Sequence, residues 1–357
     1  MMEVFIRGFF HKNLGDDLFL YILSRRYPCH NFHVILNKEY KNMFGNEKNI
    51  VVHKYGKLRR CLDRFLANFN KDFYVKIEKS CQLNVVIGGA LFQEGEDSLA
   101  AHNRLAKMPQ LNSTYILGAN FGPYKSERYR ILVRDYLAKV DDVCFRDEWS
   151  KEKFPELSNI RFAPDIVLGV QSIIQGTIEK RKRIFISVID CLSREDNIKK
   201  LTNCYEEFLV RSIDFYSSQG YEVVLSSFCK MEGDEKAIKR IAAKLHPGSQ
   251  RNVSYLNYTG DNWREIVDSI MKSEKIIASR FHSMILGMVF GGSILPIAYS
   301  EKFKQFLDNF CLANYCVSIS DLDDLTPEKI NYLSFDRIEE IVNSADEHFK
   351  KLDEVLL

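Results

Sequence analysis

At 357 residues the chain is too long for one ordinary core and suits two domains of roughly 150 to 180 residues each. Hydrophobic residues make up 46% and charged residues 27%, and a net charge of +2 with no basic block excludes a nucleic-acid binder. No run reaches the ~18 apolar residues of a membrane span. The nine cysteines form no C-x-x-C pair, so no zinc site is expected. The opening MMEVFIRGFF lacks the basic start and long apolar core of a secretion signal, so the expectation is a cytoplasmic chain with reduced thiols.

Strand-like runs alternate with helical segments along the chain. In the first half the runs are 3–9, 32–36, 49–53, 83–89, 113–119, 142–147 and 160–165, with helical periodicity at 15–26, 57–69, 126–139 and 147–154. Several runs are continuously apolar, as parallel strands covered on both faces are. A polar, basic stretch near 172–183 reads as a linker. The alternation then restarts, with strands at 183–189, 222–228, 253–258, 275–280 and 294–299 and helices at 197–219, 233–245, 262–273, 282–291 and 301–310. A last amphipathic helix is expected over 335–355, packing back across the domain junction. The fold class is therefore α/β: two doubly wound, Rossmann-like domains, 1–175 and 183–334, facing across a cleft, with 335–357 as a closing helix.

In such sheets ligands sit outside the carboxyl ends of the strands. After the first strand, Asn13, Gly15 and Asp16 open a helix; the two polar residues serve either as caps or as hydrogen-bonding groups for a polyhydroxyl ligand. Gly88 and Gly89 follow the fourth strand, where either a tight turn or close approach to a ligand needs them. Neither G-x-G-x-x-G nor G-x-x-x-x-G-K-S/T occurs, so there is no dinucleotide fingerprint or P-loop. Arg146 ends the sixth strand, in a structural ion pair or as a cation facing the cleft. Asp165 is a cap or a ligand contact.

The strongest signal is ASRFHSMILGMVFGGSILPIAYSEKF, residues 278–303. Ser279 reads as an N-cap, which places Arg280 and His282 where a strand becomes a helix. A helix N-terminus favours an anion, and a guanidinium adds a planar fork for carboxylate or phosphate. A bound dianion favours a protonated His282, a proton donor near neutral pH. Lys302 supplies a second point charge at the next strand–helix junction. One wall is thus cationic (Arg280, His282, Lys302 and, in one of its two roles, Arg146) and the other suits sugar hydroxyls, which implies a small phosphorylated anion and a polyol.

The ordered set NLGDD (13–17), GGALF (88–92), LGANFGP (117–123), FRDEWS (145–150), APD (163–165), SRFHSMILGMVFG (279–291) and PIAYSEKF (296–303) resembles the polysaccharide pyruvyltransferase family. The resemblance implies a GT-B-type protein that moves the enolpyruvyl unit of phosphoenolpyruvate onto two hydroxyls of a sugar, forming a cyclic ketal and releasing phosphate. It implies donor contacts at Arg280, His282 and Arg146, with Lys302 and Ser279 beside them. Acceptor contacts fall on Asn13, Gly15, Asp16, Gly88, Gly89 and Asn120. His282 becomes the proton donor to the methylene carbon and Asp16 the base toward a hydroxyl. Phosphoenolpyruvate is a co-substrate, so no cofactor and no metal is implied. The acceptor is a saccharide of a surface polysaccharide or its lipid-linked precursor, with at most peripheral contact at the inner face of the membrane. The basic, amphipathic stretch 54–69 is read first as a surface helix packed on its own domain and second as a membrane contact. Two departures stand out: Ile189–Asp190 where the family carries an arginine, and Ala90 in place of a third glycine. The alternatives are a GT-B glycosyltransferase using a nucleotide sugar and a non-catalytic phosphosugar-binding homologue.

Overall fold

A computed structural model describes residues 1–40, 42–56, 73–95, 105, 108, 111–174, 179–335 and 338–357. The chain divides into two compact units. The first comprises Met1–Phe10, Asp16–Ile173 and Glu339–Leu357, and the second His11–Gly15 and Ile174–Ile338.

The sheet of the first unit contains β1 (Glu3–Gly8), β2 (Asn31–Asn37), β3 (Ile50–Tyr55), β4 (Leu83–Ile87), β5 (Ser113–Ala119), β6 (Asp142–Phe145) and β7 (Ile160–Phe162). Neighbours pair in parallel in the order β3-β2-β1-β4-β5-β6-β7. All five residues of β4, LNVVI, are buried, because helices cover both faces of the sheet. Val86, Ile116 and Val143 of three adjacent strands form one core with Val133, Tyr136 and Leu137 of the helix Glu127–Leu137. Ser126 caps that helix by accepting the Tyr129 N–H. The helix Leu14–Arg26 carries Asp16 and Asp17 in its first turn and Arg25 and Arg26 in its last, matching the helix dipole.

The second unit has β8 (Arg181–Val188), β9 (Glu222–Ser227), β10 (Val253–Asn257), β11 (Ser273–Ala278), β12 (Ser293–Ala298) and β13 (Val317–Ser318), parallel in the order β10-β9-β8-β11-β12-β13. In each sheet the order reverses beside the unit's first strand, between β1 and β4 and between β8 and β11. Those reversals are where open α/β sheets bind ligands.

Two helical expectations change. The helix expected at 197–219 breaks into Asp196–Lys199 and Thr202–Ser218, where the Thr202 hydroxyl donates to the Lys199 carbonyl at 2.6 Å and competes with the helical ladder. The helix expected at 335–355 is Ile338–Ala345, a 3-10 turn Asp346–Phe349, and Lys350–Leu356. Here the Arg161 guanidinium draws out the carbonyls of Glu347 and His348, the latter at 2.6 Å, so the α-helical register cannot run through. A helix at Phe73–Lys79 and the two-residue β13 have no counterpart among the expected elements, and β13 is too short to show a period. The helix expected at 57–69, with most of the basic stretch 54–69, lies outside the described residues.

Candidate functional site

In the second unit the site grows from the end of β11. Ser187 of β8 accepts the N–H groups of both Ser279 and Arg280 at 3.1 Å, which turns the chain out of the sheet. Arg280, not Ser279, then holds the N-cap position of the helix Phe281–Val289. The Ser279 hydroxyl is buried and accepts from the Tyr205 phenol at 2.9 Å.

Arg280 is 6% exposed, and its fork is filled by two carboxylates. Nη1 donates to Glu232 Oε2 at 2.5 Å, and Nη2 donates to Asp234. Asp234 is fixed in turn by the N–H groups of Phe228 and Cys229, at 3.0 and 2.9 Å. Arg194 donates to the same Glu232 oxygen and lies 5.0 Å from the Tyr299 ring centroid. Lys302 Nζ lies 5.5 Å from that centroid and 5.7 Å from the centroid of Phe281. Phe281 also meets the His282 ring edge-on at 5.3 Å.

The charges act on one another. Burial pushes the Glu232 carboxyl up, but the Arg280 and Arg194 guanidiniums outweigh it and hold the group at about 2. Burial likewise pushes the Tyr299 phenol up, and Lys302, Arg280 and Arg194 outweigh that, leaving it below the usual tyrosine range. Burial works against the charge on Arg280, but Asp234 and Glu232 more than restore it.

His282 is the second residue of its helix, and its ring lies against Gly15. A Cβ at position 15 would fall 1.6 Å from Nδ1, so only glycine leaves room for the imidazole. Gly15 arrives there because the segment His11–Gly15 belongs to the second unit. Asn13 bridges Cys229, and the Leu14 N–H donates to the Phe228 carbonyl at 3.1 Å. The structure thus brings Asn13, Gly15, Ser279, Arg280, His282 and Lys302 into one unit.

The other candidates belong to the first unit. Arg146 follows β6 and donates to Asp165 at 2.9 Å and to Asn120 Oδ1 at 2.9 Å. Its guanidinium lies 2.5–2.6 Å from where a Cβ at Gly89 would be, and the Asn120 N–H donates to the Gly89 carbonyl at 2.7 Å. Arg146 thus sits in an ion pair whose carboxylate, Asp165, is fully buried. Asp165 also accepts the Val167 N–H, at 2.9 Å. Asp16 Oδ1 lies 4.0 Å from the Cβ position of Gly88, beside the β1/β4 reversal.

Sequence reading missed Arg194, Glu232 and Asp234, and took in Tyr299 only as part of PIAYSEKF. Its clearest lost signal was KMEGDE, two carboxylates flanking a glycine just past a strand. At the departure from the family pattern, Asp190 accepts from Arg240 at 2.6 Å, and the nearby guanidinium in the cluster is that of Arg194. Among the described residues, no group of three or more His, Cys, Asp or Glu is placed to hold a metal ion.

Two parallel-sheet units with these strand orders, each with polar groups at its reversal, define a GT-B-like α/β protein. Residues 13–301 match the polysaccharide pyruvyl transferase family, and the chain belongs to it. It is 21% identical over 258 residues to the amylovoran biosynthesis protein AmsJ of Erwinia amylovora, a stretch that covers 67% of this chain and 62% of that protein. Among solved structures it is similar to the UDP-GlcNAc 2-epimerase of Methanocaldococcus jannaschii, at 12% identity and a TM-score of 0.53 over 99% of this chain and 100% of that one. The UDP-GlcNAc 2-epimerase of Neisseria meningitidis is also similar, at 12% identity and a TM-score of 0.52 over 99% and 100% of the two chains. At such identities the likeness is one of fold alone.

Proposed function

We propose that the protein transfers the enolpyruvyl group of phosphoenolpyruvate to two hydroxyls of a saccharide used in surface polysaccharide assembly, forming a pyruvate ketal and releasing phosphate. The observation that carries this is the cluster at the β11 end: Arg280, Arg194 and Lys302 around Tyr299, with His282 on the helix that Arg280 opens. Phosphoenolpyruvate carries close to three negative charges, and its carboxylate and phosphate need separate cationic partners.

In the proposed reaction His282, as imidazolium, gives its proton to the methylene carbon, which becomes a methyl group. The adjacent carbon becomes oxocarbenium-like, and a sugar hydroxyl adds to it as Asp16, next to Gly15 in the chain, takes the hydroxyl proton. The C–O bond to phosphate then breaks with the charge stabilised by Arg280 and Lys302. A second hydroxyl closes the ketal, and its proton leaves with the phosphate. Asn13, Gly88, Gly89 and Asn120 are proposed to serve the acceptor, and Arg146 and Ser279 to shape the donor side. No cofactor takes part. The acceptor is proposed to be lipid-linked, which brings the protein to the inner membrane face. No described helix is long and apolar enough to cross a membrane.

The test is to incubate the purified protein with phosphoenolpyruvate and oligosaccharide acceptors, or with nucleotide sugars and the same acceptors. Phosphate release that requires both phosphoenolpyruvate and acceptor is expected. Nucleotide release from a nucleotide sugar, with none of phosphate from phosphoenolpyruvate, would replace the proposal with a glycosyltransferase. Binding of phosphoenolpyruvate without turnover would point to a non-catalytic homologue.

A further inference from the structure

We propose that Glu232 is a displaceable internal anion: it holds the place that the donor's anionic group takes on binding, and its departure sets donor affinity. This rests on the proposed function for the identity of the donor.

The two carboxylates on Arg280 are not equivalent. Asp234 is fully buried and accepts two backbone N–H groups as well as the guanidinium. Glu232 has a side chain 31% exposed and uses a single oxygen, Oε2, for both Arg194 and Arg280. One oxygen shared by two forks is a poor match, since each guanidinium can pair with two oxygens side by side. A phosphate or carboxylate with its oxygens spread in space satisfies both forks better.

The backbone lets Glu232 leave. It ends the 3-10 turn Lys230–Glu232, and the next residue, Gly233, has φ +86, a conformation glycine adopts without strain. The Ser193 hydroxyl holds the Glu232 carbonyl at 2.6 Å, so the side chain can swing while the turn stays anchored. Arg280 keeps Asp234 throughout, so its fork stays aimed. Once Glu232 swings out, Arg194, Arg280 and Lys302 face the cluster, with Asp234 still on Arg280 and the neighbouring Asp190 paired with Arg240. That leaves two positive charges in excess, which suits a dianion.

The experiment titrates inorganic phosphate, and separately phosphoenolpyruvate, into the full chain by calorimetry, for the wild type, Glu232→Gln and Glu232→Ala. The expected result is about tenfold tighter binding of both anions in the two variants, with the KM for phosphoenolpyruvate falling in parallel. Unchanged or weaker phosphate binding would overturn the proposal, because Glu232 would then be a permanent support for the arginines. Failure of both variants to fold, seen as loss of the thermal transition, would overturn it too, since a displaceable group is not required by the fold. The two levels separate cleanly. Tighter phosphate binding without any turnover of phosphoenolpyruvate removes the donor assignment and leaves the displaced anion. Wild-type turnover with no tightening in the variants removes this inference alone.

Discussion

His282 and Gly15 act as a pair. The imidazole fills the space a side chain at position 15 would need, so Gly15→Ala places a methyl group against Nδ1 and forces the ring to move. The expected outcome is a kcat at least about tenfold lower with the fold retained, checked by phosphate release and a thermal melt. His282→Asn should slow turnover by roughly 10² to 10⁴, the usual worth of a positioned acid, and wild-type-like turnover would remove His282 from the acid role. Arg146 makes a different kind of prediction. Its partner Asp165 is fully buried, so Arg146→Ala leaves a buried carboxylate without its guanidinium and should cost about 3 to 5 kcal/mol of stability in denaturant titrations. Adding Asp165→Asn should recover part of that loss, because the stranded charge is gone.

At the scale of elements, the closing segment Glu339–Leu357 belongs to the first unit, tied there through its polar contacts. Arg26 donates to Asp353 Oδ2 at 2.7 Å, the Tyr27 phenol donates to Asp353 Oδ1 at 2.6 Å, and Arg161 clasps Asp142 while holding the carbonyls of the 3-10 turn. Asp353→Ala strands the Tyr27 phenol and takes from Arg26 its two-point partner, leaving it Asp346. It should lower the stability of the first unit by about 1 to 3 kcal/mol, the cost of buried partners left unsatisfied. Trp149 lies in the first unit and Trp263 in the second. A Trp263→Phe background therefore lets Trp149 fluorescence follow the first unit's unfolding alone, and an Asp353→Ala change that left that signal's transition unmoved would contradict this assignment.

At the scale of the whole molecule, pH couples to folding through His348. This ring is fully buried in the first unit, and burial pushes its pKa down to about 3. The unfolded chain binds a proton near the ordinary histidine value of about 6.5, so between there and about 3 the unfolded state holds more protons than the folded one. Stability is therefore fully present above pH 6.5 and falls on acidification. The loss attributable to this group should reach about 2 kcal/mol between pH 7 and pH 5. His348→Phe should flatten that slope in urea titrations read at Trp149, and an unchanged slope would place the acid sensitivity elsewhere.

Local pattern along the chain was enough for a two-unit parallel α/β fold and for most of the places where a strand hands over to a helix. Both follow from local pattern, because a strand covered on both faces must be apolar along its length, and a helix covered on one face must repeat at its own period. The placement of Arg280 with His282, and of Lys302 in PIAYSEKF, was legible for the same reason, since each lies within a few residues of a strand end. Long-range packing was needed to show that Glu232 and Asp234 fill the fork of Arg280, that Gly15 makes room for His282, and that the chain's end returns to the unit that holds its beginning. Those arrangements depend on which distant segments pack together, and a carboxylate or a glycine has the same local pattern whether it meets solvent, a helix cap or a guanidinium.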